Sequence, residues 1–213
     1  MDDLTNILNS LYENNQYFNS LDKFNVLEIG TGEGANSTKI LYKYFINKKK
    51  PFQLVSYEGM PDLYQRANNL WNDITNVSII NEYFTNKQDI TDLLIPNLPD
   101  YITDYKETNQ RLKNKYLKVM NENNNYFTTL NMQPDIIFID SSRFMHLPII
   151  NLCYQISKNN PNTIIIMEED YYVDNNYGEL QIIENNFELT NVVKYKKGSW
   201  QWPFVSFNIV GKK

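Results

Sequence analysis

Val26-Leu27-Glu28-Ile29-Gly30-Thr31-Gly32-Glu33-Gly34, VLEIGTGEG, is the stretch on which the reading of this chain turns. Val26, Leu27 and Ile29 form a short apolar run of the kind that makes a strand buried on both faces. Gly30, Gly32 and Gly34 then fall at alternate positions. After Ala35-Asn36-Ser37-Thr38 comes KILYKYF, whose Ile40, Leu41, Tyr44 and Phe45 recur at helical spacing. Strand, glycine turn and helix make the first unit of an open α/β sheet, where the backbone can approach a ligand closely because no Cβ intervenes. A nucleoside-type cofactor is the first expectation.

Outward from that unit, FQLVSYEG predicts a second strand, Phe52 to Tyr57, ending at Glu58-Gly59. Pro61 to Trp71 reads as a helix and Val77 to Ile80 as a third strand. In a doubly wound sheet the second strand lies beside the first and ends at the same crevice. A carboxylate at that end can accept hydrogen bonds from both hydroxyls of a ribose, and Glu58 stands there, 28 residues after Gly30. In PDIIFID, Ile136 to Ile139 is a fourth strand closed abruptly by Asp140. A charge is expensive in a core, so Asp140 is expected to point into the crevice.

Ser141 to His146 forms the next loop, Leu147 to Ser157 a helix, and Ile164 to Met167 a fifth strand ending in Glu168-Glu169-Asp170. A helix from Gly178 to Asn186 precedes two last strands in ELTNVVKY and FVSFNIVGKK. The KKGSWQWP between them is too short for a crossover helix, so these two pair antiparallel. The expected fold is therefore α/β: a Rossmann-like doubly wound seven-stranded sheet, mostly parallel, with a C-terminal antiparallel hairpin, as a single domain over 1–213. Leu4, Ile7, Leu8 and Leu11 mark an amphipathic helix in a leading segment, 1–22. That segment is either a lid over substrate or a helix packed on the sheet. The long stretch 96–132 is read as a helical insertion over the mouth of the site, closing over substrate or forming a homodimer contact.

Composition narrows the function. With 213 residues, 42% of them hydrophobic and 14% aromatic, the chain has enough apolar material for one core. A net charge of −5 and a pI near 5.0 argue against nucleic acid as the main partner. Lys48 to Lys50 and the group Lys194, Lys196 and Lys197 read as solvated edges. Cys153, the one cysteine, permits neither an intramolecular disulfide nor a thiolate metal cluster. MDDLTNILNSLYENN lacks the pattern of a signal peptide, and no apolar stretch approaches a membrane span, so a cytoplasmic location with no membrane partner is expected.

With those residues in hand, the chain resembles a class I S-adenosylmethionine-dependent methyltransferase from about Lys23 onward. Glu28-Ile29-Gly30-Thr31-Gly32-Glu33-Gly34 is similar to the family's E/D-x-G-x-G-x-G turn, and Glu58 matches the acidic residue that holds the ribose. Asn81-Glu82-Tyr83-Phe84 matches the region bordering the adenine. The resemblance implies cofactor contacts at Glu28, Gly30, Thr31, Gly32, Gly34, Glu58, Gly59, Tyr83 and Asp140. The glycine turn alone also fits the dinucleotide fingerprint G-x-G-x-x-A. Glu28, Glu58, Asp140 and the closing hairpin favour the methyltransferase reading, since nicotinamide-binding folds usually end in another parallel strand.

Within the family, the FID loop and the acidic cluster after strand five look like the small-molecule O-methyltransferases resembling the catechol and macrocin enzymes. Those bind Mg²⁺, and the match places Asp140 with Glu169 and Asp170 (or Glu168 and Glu169) as metal ligands. Three oxygen ligands suit a hard cation that lowers the pKa of a substrate hydroxyl. The sequence also departs from the pattern. Related sugar O-methyltransferases carry His where this chain has Arg143, and glutamate replaces aspartate among the ligands. The carboxylates could instead hold a substrate amine or line a polar cleft. Asp140 and His146, the one histidine, are the candidate catalytic groups; a histidine beginning a helix can equally be structural. Arg143, Tyr171 and Trp200 are candidate substrate contacts, with Tyr172 and Trp202 completing an aromatic wall or packing under the hairpin. The expected reaction is methyl transfer to an oxygen of a small-molecule acceptor, sugar or phenol-like. The alternatives are N-methylation of an amine and a cofactor-binding module without catalysis.

Overall fold

Alternate residues of the central strands belong to opposite layers of the core. Leu27, Ile29, Ile137, Ile139, Ile165 and Met167 pack into one apolar cluster, while Val26, Ile136, Phe138, Ile164 and Ile166 pack into another. The period of two sends successive side chains to opposite faces, so a run with no polar interruption requires cover on both. The computed structural model describes residues 2–89, 125–141, 146–168, 179–195 and 204–213, with the single positions 114, 118, 121 and 122.

The strands are β1 (Phe24–Ile29), β2 (Phe52–Tyr57), β3 (Val77–Ile80), β4 (Ile136–Ile139), β5 (Ile164–Glu168), β6 (Phe187–Lys194) and β7 (Phe204–Lys212). The helices are α1 (Asp2–Asn14), α2 (Gln16–Ser20), α3 (Ser37–Asn47), α4 (Pro61–Trp71), the single turn α5 (Lys87–Asp89), α6 (His146–Ser157) and α7 (Glu179–Asn186). One seven-stranded sheet has the order β3-β2-β1-β4-β5-β7-β6. β1 to β5 run parallel, and β7 is antiparallel to both β5 and β6. The expected fold class holds. Chain direction across the sheet reverses between β1 and β4, which creates a crevice beyond their C-terminal ends.

The described part of the leading segment, residues 2–22, is packed against α3 and β1. Leu4, Ile7, Leu8, Leu11 and Phe18 are buried in the same cluster as Leu41 and Phe45 of α3 and Phe24 and Val26 of β1. The Tyr44 hydroxyl donates to the Leu8 carbonyl at 2.8 Å, and the Lys48 ammonium sits 3.9 Å above the Tyr12 ring. The apolar stripe of α1 is thus buried in the core shared with α2, α3 and the start of β1. The expected helical insertion, 96–132, falls largely outside the described residues. The single described positions 114, 118, 121 and 122 within it are helical, and after them Tyr126 pairs with Tyr83 in a parallel bridge while Phe127 packs edge-on against Phe84, with ring centroids 4.8 Å apart. Among the described residues, no helix is long and apolar enough to cross a membrane.

Candidate functional site

The turn after β1 is stitched to the end of β2. The backbone N–H groups of Gly30 and Thr31 both donate to the Tyr57 carbonyl, at 2.9 and 3.2 Å, and the Gly34 N–H closes the turn on the Thr31 carbonyl at 3.0 Å. Gly30, Gly32 and Gly34 have φ of +93°, +58° and +74°, the left-handed region in which a side chain is strained. Each glycine also has its own surroundings. A Cβ on Gly30 would collide with the Asp140 carbonyl, whereas one on Gly32 would meet nothing within 4 Å. Gly34 faces the Trp71 indole, whose Nε1–H donates to the Gly34 carbonyl at 2.8 Å.

Glu58 follows β2 and is 7% exposed. Its Oε2 accepts the Gly32 N–H and its Oε1 the Met60 N–H, each at 2.8 Å. Burial pushes the Glu58 carboxyl above the ordinary carboxylate range; the two backbone N–H groups pull it back, and Asp140 pushes it up again. A carboxylate oxygen holding one donor keeps capacity for another, so Glu58 can accept from two ligand hydroxyls while bracing the turn. Across the switch point, the Asp140 N–H donates to the Ile29 carbonyl at 2.8 Å, which sets Asp140 beside Gly30.

These groups surround a cleft of about 250 Å³. Its lining includes Gly30, Thr31, Gly32, Glu58, Gly59, Tyr83 and Asp140, seven of the positions expected to meet a cofactor. A Cβ on Gly59 would run into the Tyr83 ring, so bare backbone is what lets that ring form the wall. The described charges in the lining are Glu58, Glu82 and Asp140, with no lysine or arginine.

Two of the expected cofactor positions stand away from the cleft lining. Glu28 does not line the cleft: it is fully buried below the turn, where its Oε2 accepts from the hydroxyls of Thr38, at 2.7 Å, and Ser56, at 2.5 Å. Burial raises its pKa to about 7, the hydroxyls of Ser56, Ser37 and Thr38 oppose that rise, and Asp140 adds to it. Gly34 is likewise absent from the lining, and its conformation serves the packing of Trp71 from α4. Of the remaining candidates, Arg143, Glu169, Asp170, Tyr171 and Trp200 lie outside the described residues, as do Tyr172 and Trp202. His146 is described as the first residue of α6, without its side chain. Among the described residues, no three His, Cys, Asp or Glu side chains are grouped to hold a metal.

Sequence reasoning missed several lining residues, including Asn36, Met60, Leu63 and Ile149. Met60 carried a usable signal, since it immediately follows Glu58-Gly59 and its N–H meets that carboxylate. Ile149 carried none: it enters from α6, far along the chain, as an ordinary apolar helix residue.

Solved structures share this fold. A chain of the fibrillarin/NOP5p complex aligns with a TM-score of 0.51 at 9% identity, covering 88% of this chain and 72% of its own. A SAM-dependent methyltransferase from Aquifex aeolicus aligns with a TM-score of 0.54 at 12% identity, over 98% of this chain and 89% of its own. The chain has the methyltransferase fold. A SAH-bound methyltransferase from Podospora anserina has the same fold (TM-score 0.50, 12% identity, 87% of this chain and 71% of its own). No protein-family profile matches the chain, and no curated protein matches it by sequence. In this chain the cleft lies beside the turn after β1, at the seam where β1 meets β4.

Proposed function

We propose that this chain is an S-adenosylmethionine-dependent methyltransferase acting on an oxygen of a small molecule, sugar or phenol-like. The observation that carries the cofactor reading is Glu58, whose two oxygens brace the Gly32 and Met60 N–H groups at the rim of a cleft bounded by Gly30 and Asp140. The residues fit a nucleoside cofactor bearing an amino-acid arm. Gly30 and Gly32 leave backbone facing the cleft, Glu58 supplies acceptors for a ribose, and Gly59 with Tyr83 gives a flat wall for a base.

Bound there, the cofactor supplies a methyl group activated on sulfur for in-line displacement by the acceptor. The protein contributes orientation, exclusion of water and removal of the acceptor proton. Glu58 and the glycine turn fix one end, and Tyr83 and Phe84 wall the cleft with buried aromatic surface. Asp140 is the residue we assign to the acceptor hydroxyl, with His146 as the second candidate base. The described residues do not supply a Mg²⁺ site, since Glu169 and Asp170 lie outside them and Glu168 is described without its side chain, and no step is derived through a metal. The O-methyltransferase assignment rests on the FID loop and the acidic run after β5.

One observation favours a second acceptor class. The three carboxylates in the lining, with no described cation, make the cleft attractive to a small-molecule amine and repellent to anions. Thermal-shift measurements with S-adenosylmethionine, S-adenosylhomocysteine and NAD test the cofactor: stabilisation by NAD alone overturns the reading. A methyl-transfer assay over sugars, phenols and amines, with Mg²⁺ or EDTA, separates the acceptor classes and reports any need for a metal.

A further inference from the structure

Below the glycine turn lies a chain of buried polar groups that reaches the cleft only at Thr31. Thr31, Ser56 and Thr38 are 3%, 0% and 0% exposed, and Glu28 is fully buried. Glu28 and Ser56 are register partners on adjacent parallel strands, so the carboxyl and the hydroxyl are brought together by the pairing of β1 with β2. The Ser56 hydroxyl donates to Glu28 Oε2 at 2.5 Å, and the Thr38 hydroxyl, from the first turn of α3, donates to the same oxygen at 2.7 Å. The Thr31 and Ser56 hydroxyls are in short contact.

The direction of that contact follows from proton counting. A hydroxyl carries one proton, and Ser56 commits its own to Glu28. With the Glu28 carboxylate ionised, Thr31 therefore donates to Ser56, which gives a one-way chain from Thr31 through Ser56 to Glu28. Thr31 is the residue between Gly30 and Gly32, and its N–H and the Gly30 N–H share the Tyr57 carbonyl one residue beyond Ser56. A turn built on three left-handed glycines has little rigidity of its own, because glycine populates many backbone conformations. The hydroxyl chain supplies it from below, while Glu58 supplies it from the cleft side.

We propose that Glu28 is a positioning residue for the cofactor, acting through Ser56 and Thr31 to hold the glycine turn in its binding conformation. This rests on the cofactor reading above and extends it to residues that do not line the cleft, as well as to Thr31, whose hydroxyl faces Ser56. A buried polar network of this kind acts as a unit, so its parts are coupled and not additive.

Isothermal titration with S-adenosylhomocysteine tests it, using T31V, T31S, S56A, the double variant T31V/S56A and E28Q, each well below its own melting temperature. T31V and S56A are each expected to weaken binding about tenfold, the loss of one buried hydrogen bond expressed as affinity. The double variant is expected to be no weaker than the poorer single one. T31S, which keeps the hydroxyl, is expected to bind within about twofold of the unaltered protein. N160A, which breaks a network at the opposite end of the sheet, is expected to lower the melting temperature without changing affinity. Losses that multiply in the double variant, an affinity unmoved while stability falls, or a T31S no better than T31V would each overturn the proposal. An unaltered protein that binds no S-adenosylhomocysteine would overturn the cofactor reading itself, and this proposal with it.

Discussion

The two ends of β1 are held by the same device and put to different uses. At the N-terminal end, Asp135 accepts the Asn25 N–H at 2.8 Å and the Tyr17 hydroxyl at 3.1 Å, and the Asn160 amide donates to that hydroxyl at 3.0 Å. At the C-terminal end, Glu58 accepts the Gly32 and Met60 N–H groups. Both carboxyls are buried, and burial raises the pKa of both. The lower network closes on side chains from α2 and from the turn after α6. The upper one closes on backbone and opens onto a cleft. A carboxylate tying two backbone segments is therefore not in itself a mark of function. What distinguishes the upper end is that its carboxylate braces a turn of left-handed glycines at the rim of a cleft.

Crowding that turn is the most damaging way to break the comparison. Gly30→Ala puts a methyl group into the Asp140 carbonyl at a φ of +93°. Strain and clash together of about 3 kcal/mol correspond to a loss of binding on the order of 100-fold. Calorimetric titration with S-adenosylhomocysteine reads it, and unchanged affinity would refute the cradle.

Glu28 gives an effect of similar size, expressed in pH. Its folded pKa of about 7 exceeds the ordinary value of 4.5, so the folded state holds a proton that the unfolded chain has released between those values. The stability it contributes is fully present below pH 4.5 and is lost as pH rises through 7, a change of up to about 3 kcal/mol. Urea unfolding at pH 5 and pH 7.5 should show the unaltered protein losing stability relative to Glu28→Gln, which cannot titrate. Parallel pH profiles for the two would contradict the raised pKa.

The two carboxylates at the ends of β1 should then separate cleanly. Glu58→Ala is expected to cost about 2 kcal/mol of cofactor affinity, roughly 30-fold, because a charged acceptor is lost from the cleft. Asp135→Asn keeps the shape at the closed end and is expected to cost about 1 kcal/mol of stability, lowering the melting temperature by roughly 3 °C, with affinity unchanged. Matching losses of affinity in both variants would erase the distinction. The smallest effect belongs to Thr128→Ala. This change removes one hydrogen bond to Glu82 and leaves the Thr128 N–H bond of 3.0 Å in place, so thermal unfolding should shift by no more than roughly 2 °C.

Much of the sheet was legible in the sequence because its strands are short, continuous and closed by unlike residues. Phe52 to Tyr57, Val77 to Ile80 and Ile136 to Ile139 have the bounds expected of them, and Pro61 begins α4 as a proline at a first helical turn should. Gly30, Glu58 and Asp140 were legible because each interrupts an apolar strand at its C-terminal end. Glu28 and Gly34, expected at the cofactor, stand away from the cleft lining for two different reasons. A motif fixes residue types along the chain but not their surroundings: the Glu28 side chain reaches Ser56 and Thr38, and the Gly34 backbone packs on the Trp71 indole. Amphipathic spacing likewise showed that 1–22 had an apolar face, but not which surface would cover it.

The sequence by itself determined the class of architecture and the place of the cleft. Period-two apolar runs demand a covered sheet, and three glycines between strand and helix demand a turn with bare backbone. Only the tertiary structure decided that Ser56 stands opposite Glu28, that Asp140 closes against Gly30, and that Tyr83 meets Gly59. Those contacts join residues far apart in the chain through strand register, which depends on the packing of both faces at once.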